Sequence, residues 1–302
     1  MDALSPWLFS KSSNSQRIFH FQAGDDDDCK TMPSPVEAVA MFVGPLAVIV
    51  GVIFLSPLGS MFSGSSAVAC VLFTFLILLL QFLVVRHSST SAVRTTKQLH
   101  IRRKVQHAGS GLLVVLASFY GSSVQVAVVL ICSAAVFYVV TQLRKQSKVV
   151  NQTYLHVFGP ILRQHEIAYR LPGAFWFLLG CAGSMLLFPK EVAQLSILHL
   201  SLGDPCASFF GITLGQNSPK MPNGKTLAGV IGCFVVCLLC NIGFLSIVDT
   251  SIAHLGLLEK ALVVVSCAFA GTLGEALYLG CDDNLSLPIV SGLGMSVVWW
   301  FL

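Results

Sequence analysis

Asp204 stands in the run Ser201-Leu202-Gly203-Asp204-Pro205-Cys206-Ala207-Ser208, inside one of the longest apolar stretches of a very apolar chain. A charged Asp at the centre of a bilayer costs about 2.5–3.5 kcal/mol on insertion scales, so it normally faces a partner, a cavity or a substrate. Gly211 and Gly215 follow, then a polar segment from Gln216 to Thr226 that carries Lys220 and Lys225. An acid, small residues that admit close backbone approach, and two lysines suit an anion and its metal. Beyond residue 37 only eight acids occur: Glu166, Glu191, Asp204, Asp249, Glu259, Glu275, Asp282 and Asp283. Glu275, Asp282 and Asp283 close one apolar run, with Asn284 beside them, and Arg102, Arg103, Lys104 and His107 open another.

Helices in a membrane must position these groups. The 302 residues are 55% hydrophobic and 11% charged, against about 25% charged in a soluble domain, and the mean hydropathy is +0.79. Repeated apolar runs near 20 residues predict an all-α, polytopic integral membrane protein. About nine spans are expected (seven to nine), near residues 38–58, 66–85, 106–121, 124–142, 172–188, 191–211, 227–248, 260–280 and 287–302. They form one membrane domain, 38–302. Residues 1–37, with Asp25 to Asp28 and then Pro33 and Pro35, read as a disordered cytosolic tail without the apolar core of a signal peptide. A Ser-rich 1–24 leaves an organellar transit peptide as the minor alternative.

A net charge of +4 and the lack of a basic patch interleaved with aromatics exclude nucleic acid as a partner. The cysteines lie mostly in apolar runs and read as small hydrophobes. Cys233, Cys237 and Cys240 share a helix face but lack His or carboxylate partners for a metal. The apolar residues of 143–171, among them Val149, Tyr154 and Phe158, suit either an interfacial amphipathic helix or a packed connector.

Placing the N-terminus in the cytosol puts 16 of the 18 lysines and arginines on that side, with Lys190 and Lys260 opposite, a strong positive-inside bias. The same topology brings Asp204, the Glu275–Asn284 group and the Arg102–His107 group to the cytosolic face. It also leaves the sequons at Asn151 and Asn284 in the cytosol and unmodified. The chemistry that fits is transfer of a charged phosphoryl group: carboxylates for Mg²⁺, lysines and arginines for phosphate charge, and an acid to orient or deprotonate a hydroxyl. Gly224-Lys225-Thr226 looks like the end of a P-loop, but Pro219 stands where its first Gly belongs.

Four pieces stand in order along the chain. They are Arg103-Lys104-Val105-Gln106-His107, then Gly203-Asp204-Pro205-Cys206-Ala207-Ser208-Phe209-Phe210-Gly211, then Gly224-Lys225-Thr226-Leu227-Ala228-Gly229, and finally Glu275 with Asp282-Asp283-Asn284-Leu285-Ser286-Leu287-Pro288. Together they resemble the CTP-dependent lipid kinases, a family that includes fungal-type diacylglycerol kinases, dolichol kinases and phytol kinases. The resemblance covers roughly residues 100–302. It implies transfer of the γ-phosphate of CTP to a lipid hydroxyl with Mg²⁺ or Ca²⁺, in the endoplasmic reticulum or nuclear envelope, with a plastid membrane as the minor alternative.

On that resemblance Asp204, Lys104, His107 and Lys225 are the expected catalytic residues. Arg103, Lys104, Ser208, Gly211, Gly215, Lys220, Lys225, Thr226, Gly229, Asp283 and Asn284 are expected at the nucleotide, and Asp204, Glu275, Asp282 and Asp283 at the metal. Ile212 departs from the family, which often has Arg after the second Gly of the core. Asn151 to Arg163, leading to Leu171-Pro172-Gly173, look most like the diacylglycerol branch. Dolichol or another polyprenol, and phytol, are the alternative acceptors. Cytidylyl transfer onto phosphatidate and an ion-coupled transporter are the alternative activities, though no inverted halves are visible.

Overall fold

A computed structural model describes residues 101–302, except 159–161, 169, 249–251, 253 and 302. The tail 1–37, the expected spans 38–58 and 66–85, and the basic loop up to residue 100 lie outside the described residues.

Ser122 starts the cleanest helix. Its hydroxyl accepts from the amide of Gln125 at 3.2 Å while the Gln125 side chain accepts from the Ser122 amide at 2.9 Å, so two amides without helical partners satisfy each other's caps. This box separates α1 (Ile101–Tyr120) from α2 (Ser123–Gln146). Next come α3 (Lys148–Phe158) and the single turn α4 (Gln164–Ile167), then α5 (Gly173–Leu187). Helix α6 (Lys190–Leu198) runs through a π-helical turn (His199–Gly203) into α7 (Asp204–Thr213). The bundle closes with α8 (Leu227–Ile247), α9 (Leu257–Ala276) and α10 (Asp283–Trp300).

The described residues are thus all-helical apart from one isolated β-bridge between Lys220 and Thr226. Among the described residues, four segments are long and apolar enough to cross a membrane: Ser123–Gln146, Lys190–Thr213, Leu227–Ser246 and Leu257–Ala276. Helix α5 is apolar but shorter.

Helix α6 is the central rod. Every residue from Val192 to Leu198 is buried, as expected of a helix surrounded by others. Its one buried amide, Gln194, donates to the Ser118 hydroxyl of α1 at 2.8 Å. Around it α10 packs on α9, α5 and α6, α8 lies between α7 and α9, and α2 lies on α5. The π turn below α6 is touched by α1, α8, α9 and α10, so the stretch just ahead of Asp204 is the meeting point of the bundle.

Three helix starts lie three or more residues ahead of the hydropathy reading, for one reason. Helix α1 already covers 101–105, ahead of the expected 106; α9 begins at 257, not 260; α10 begins at 283, not 287. Hydropathy stops at the first charge, whereas paired charges continue a helix. Helix α9 ends earlier than expected, at 276, where Leu277 turns to extended backbone. The expected span 191–211 also proves to be two α-helical pieces joined by the π turn. The segment 143–171 packs inward at α3: Tyr154 is buried under the Arg144 guanidinium, 4.0 Å from its ring centroid, and Phe158 packs on Tyr154 and Phe137.

Glycines set how closely the helices approach. A Cβ on Gly229 of α8 would stand 2.6 Å from the carbonyl oxygen of Ala207 in α7, and neither backbone can yield alone. Gly229→Ala is therefore expected to cost about 1–3 kcal/mol, read as a lowered midpoint of thermal unfolding in detergent. A Cβ on Gly180 would meet the Asn284 carbonyl oxygen at 2.3 Å. That carbonyl lies four residues before Pro288, which has no amide to offer it.

Candidate active site

Asp204 is the first residue of α7, and Pro205 follows it at a position where a missing amide costs nothing to α7. The same proline ends the π pattern. A π turn pairs each carbonyl with the amide five residues on, and for Leu200 that residue is Pro205, which has none. The orphaned Leu200 carbonyl instead faces His107 Nε2 at 3.2 Å. A carbonyl only accepts, so His107 carries its hydrogen on Nε2 there. The same nitrogen lies 3.8 Å from Asp204 Oδ2, and the imidazole stands edge-on to Phe177 with ring centroids 4.7 Å apart.

Lys104, one turn before His107 on α1, donates from Nζ to Asp204 Oδ2 at 3.0 Å. Residues three apart share a helix face, so α1 delivers an ammonium and an imidazole to one carboxylate. Asp204 is thus held by Lys104 and His107, while His199, a conceivable neutraliser five residues back, is bonded elsewhere (Ser291 and Asn241).

A second node is built on the segment between α7 and α8. Met221 donates to the Lys225 carbonyl at 2.7 Å and Leu227 to the Pro219 carbonyl at 2.9 Å, with Gly224 at φ +83° at the tip, a conformation that favours glycine. Asn223 pins this turn to the end of α9 by donating to the Ala276 carbonyl at 2.8 Å. Lys225 Nζ then lies 3.1 Å from both Glu275 Oε1 and Asp283 Oδ2 and also donates to the main-chain oxygen of Glu275. Burial by itself would lower the Lys225 pKa, but the two carboxylates outweigh it and raise it above the ordinary lysine value. The other carboxylate oxygen, Glu275 Oε2, is buried and has no hydrogen-bond partner among the described residues. Glu275 also lies close enough to Asp204 for the two charges to interact.

A third node ties α10 to α5. Asp282 caps α10 through Oδ1 on the Asn284 amide at 3.0 Å and faces Arg163 through Oδ2 at 3.6 Å. Asn284 is buried and donates to the Gly173 carbonyl at 3.0 Å. Glu166, buried, accepts from the amides of Gly173 and Arg163, each at 2.7 Å. Arg103 stands beside Gly173, its guanidinium 3.3 Å from where a Cβ there would be. Burial lowers the Arg103 pKa and the neighbouring Arg163 lowers it further, against the opposing pull of Glu166, Asp204 and Asp282.

The expected residues therefore sort unequally. Lys104, His107 and Asp204 meet directly, as do Lys225, Glu275 and Asp283. Asp282 turns away to Arg163, so the four acids expected at a metal do not form one cluster, and among the described residues no three His, Cys, Asp or Glu side chains group to hold an ion. Gly211, Gly215 and Gly229 serve helix approach: a Cβ on any of them would come within 3.3 Å of Thr226 atoms, and the Thr226 hydroxyl caps α8 by accepting from the Gly229 amide at 3.2 Å.

Ser208 is half-buried, and Lys220 and Ile212 are exposed. Asn284 is closed to glycosylation by burial alone, so a bare Asn284 says nothing about orientation. Asn151 accepts from Arg144 at 3.0 Å. Arg163, Glu166 and Asn223 were not singled out from the sequence. Glu166 carried the one available signal, as the sole acid between residues 143 and 171.

A half-buried carboxylate held by an ammonium, beside an imidazole with a fixed tautomer, can take or orient the proton of a hydroxyl. The surrounding guanidinium and ammonium groups suit phosphate oxygens. The chain is 28% identical over 201 residues to a Schizosaccharomyces pombe protein named CTP-dependent diacylglycerol kinase 1, covering 65% of this chain and 92% of that one. A Saccharomyces cerevisiae protein of the same name is 28% identical over 217 residues, covering 66% and 73%. A third, from Eremothecium gossypii, is 30% identical over 161 residues, covering 49% and 50%. These relatives support the CTP-dependent diacylglycerol kinase branch. The resemblance carried by the four motif pieces thus points the same way as the similarity to that branch over about half to two thirds of the chain. No family model matches the chain, and no solved structure matches it.

Proposed function

We propose that the chain is an integral-membrane, CTP-dependent lipid kinase that phosphorylates diacylglycerol to phosphatidate. The observation that carries this reading on the structural side is the Lys104–Asp204 bond at 3.0 Å, which joins two motif pieces 100 residues apart. The names of the three fungal relatives supply the donor and the acceptor.

In this reading Asp204 accepts the proton of the diacylglycerol hydroxyl as its oxygen bonds to the γ-phosphorus of CTP. The bond from that phosphorus to the bridging oxygen breaks, and CDP leaves with the electron pair. Lys104 and His107 hold the Asp204 carboxylate in place, and Arg103 and Lys104 meet phosphate oxygens. Lys225 is already engaged by Glu275 and Asp283, so its role is to hold the nucleotide side of the site together and share its charge with the phosphates.

Among the described residues, Lys104 is engaged by Asp204, Arg163 faces Asp282, and Lys225 is held by Glu275 and Asp283, so much of the cationic charge is already matched by carboxylates. A site with this balance does not by itself attract a nucleoside triphosphate. The unpartnered Glu275 Oε2 fits a divalent cation, because Mg²⁺ commonly uses one or two carboxylates plus phosphate oxygens. Bound there through Glu275, Mg²⁺ or Ca²⁺ would supply neutralisation of the phosphate charge. The distribution of Lys and Arg supports a cytosolic active face, and the endoplasmic reticulum or nuclear envelope is the proposed compartment.

The purified chain in mixed micelles, given γ-labelled CTP or ATP and a panel of lipid alcohols, tests this reading. Labelled phosphatidate with CTP is the expected product. Label on a polyprenol or phytol would move the acceptor, label in lipid from α-labelled CTP would indicate cytidylyl transfer, and no labelled lipid at all would remove the kinase assignment.

A further inference from the structure

His199 opens the π turn that ends one residue before Asp204, and it is fully buried. Its ring is held on both sides: Nδ1 lies 2.8 Å from Ser291 Oγ of α10, and Nε2 lies 2.8 Å from Asn241 Oδ1 of α8. Asn241 Nδ2 in turn donates to the Val264 carbonyl of α9 at 3.0 Å. That last carbonyl decides every direction in the chain. It can only accept, so the Asn241 amide nitrogen faces it and Asn241 Oδ1 must accept from His199 Nε2–H. The neutral ring then presents Nδ1 as an acceptor, and the Ser291 hydroxyl donates to it.

The relay is closed and fully satisfied, which is the condition under which a buried polar network specifies one arrangement. Helix α9 crosses directly over the ring: a Cβ on Gly271 would stand 2.4 Å from His199 Nδ1. The far end of the turn is equally tight, with Gly203 packed on the thiols of Cys233 and Cys237, 3.1 and 3.2 Å from where its Cβ would be. The turn between these two anchors carries Leu200, whose carbonyl binds His107, and leads directly into Asp204.

We propose that His199 is a positioning residue for Asp204: locked between Ser291 and Asn241, it fixes the π turn that aims the carboxylate at Lys104 and His107. This rests on the reading of Asp204 as the proton acceptor of the transfer. The wider π turn is rarer than a regular α-helix, and such turns are frequently found at functional sites. Without the relay the segment can relax toward α-helical winding, which rotates Asp204 away from α1.

The test uses the purified full chain in mixed micelles with CTP and diacylglycerol, and turnover is normalised to folded protein. A displacement of about 1 Å at a reacting group costs about a hundredfold in rate. His199→Phe, which keeps the ring but loses both bonds, is accordingly expected to lower kcat about a hundredfold with the KM for CTP within about twofold. His199→Gln, whose amide can still donate to Asn241, is expected to recover at least about tenfold of that loss. Ser291→Ala removes one small contact, keeps the test open if His199→Phe does not fold, and is expected to lower kcat about tenfold at constant KM.

Wild-type kcat in folded Ser291→Ala, or a raised KM with kcat retained, would overturn the proposal. So would equal turnover in His199→Phe and His199→Gln. Asp204→Asn run alongside separates the two claims: full activity there removes the reading of Asp204, whereas an inactive Asp204→Asn beside an unaffected Ser291→Ala removes only the positioning role of His199.

Discussion

Asp204→Asn is expected to lower kcat for CTP-dependent phosphorylation of diacylglycerol by about 10²–10⁴-fold, the range that a positioned acid or base contributes. The substitution keeps shape and leaves an oxygen for Lys104, so the change isolates the loss of a basic carboxylate. Lys104 and Asp204 are each only partly buried, with side-chain exposures of 21% and 16%, and the uncompensated ammonium can turn to water. Folding should therefore be nearly intact, which expression and the unfolding midpoint in detergent check directly. Turnover within a factor of a few of wild type would remove Asp204 from the chemistry.

The larger structural effect is expected at Lys225. Lys225→Met removes the ammonium that joins the turn before α8 to α9 and α10, leaving Glu275 in the interior and Asp283 beside it. Breaking a buried pair by removing one partner costs about 3–5 kcal/mol. Lys225 and Asp283 are partly exposed at 22% and 38%, and solvent screening reduces this to about 2 kcal/mol. The prediction is a lowered unfolding midpoint together with reduced turnover.

Lys225→Met combined with Glu275→Gln should regain most of the midpoint, because the stranded charge is gone, but not the turnover, because the charges that meet the nucleotide and its cation are gone too. Recovery of both would make the clasp purely structural. Because the folded pKa of Lys225 is raised, its stabilisation is fully present below the ordinary lysine value of 10.5 and is lost only as pH rises beyond it. No pH dependence of the midpoint across the neutral range is expected from this group.

The His199 relay and the Lys225 clasp divide the work of the bundle. One lies in the apolar interior and acts through neutral hydrogen bonds whose directions are fixed. The other lies at the helix ends, where charges have water within reach and can be shared with a nucleotide. Helix termini suit the second task, since α9 ends in free carbonyls that Lys225 and Asn223 occupy, and α10 begins with amides that Asp282 caps.

The sequence by itself determined the class of the molecule and singled out the polar residues from which the proposed site is built. Lone charges in apolar runs are costly enough to be conspicuous, so Asp204, Glu275 and the basic opening of α1 could be picked out without any structure, and hydropathy located the helices that carry them. Only the tertiary structure decided who pairs with whom. Asp282 and Asp283 are neighbours in the chain yet serve different nodes, Arg163 for one and Lys225 for the other, because they straddle the start of α10 and point to opposite sides of it. His199 lies nearer to Asp204 in sequence than Lys104 does, yet a π turn and three crossing helices give its ring other partners. Pairing follows from where helices cross and from the cost of leaving any buried charge or carbonyl unmet, and neither is written in local spacing.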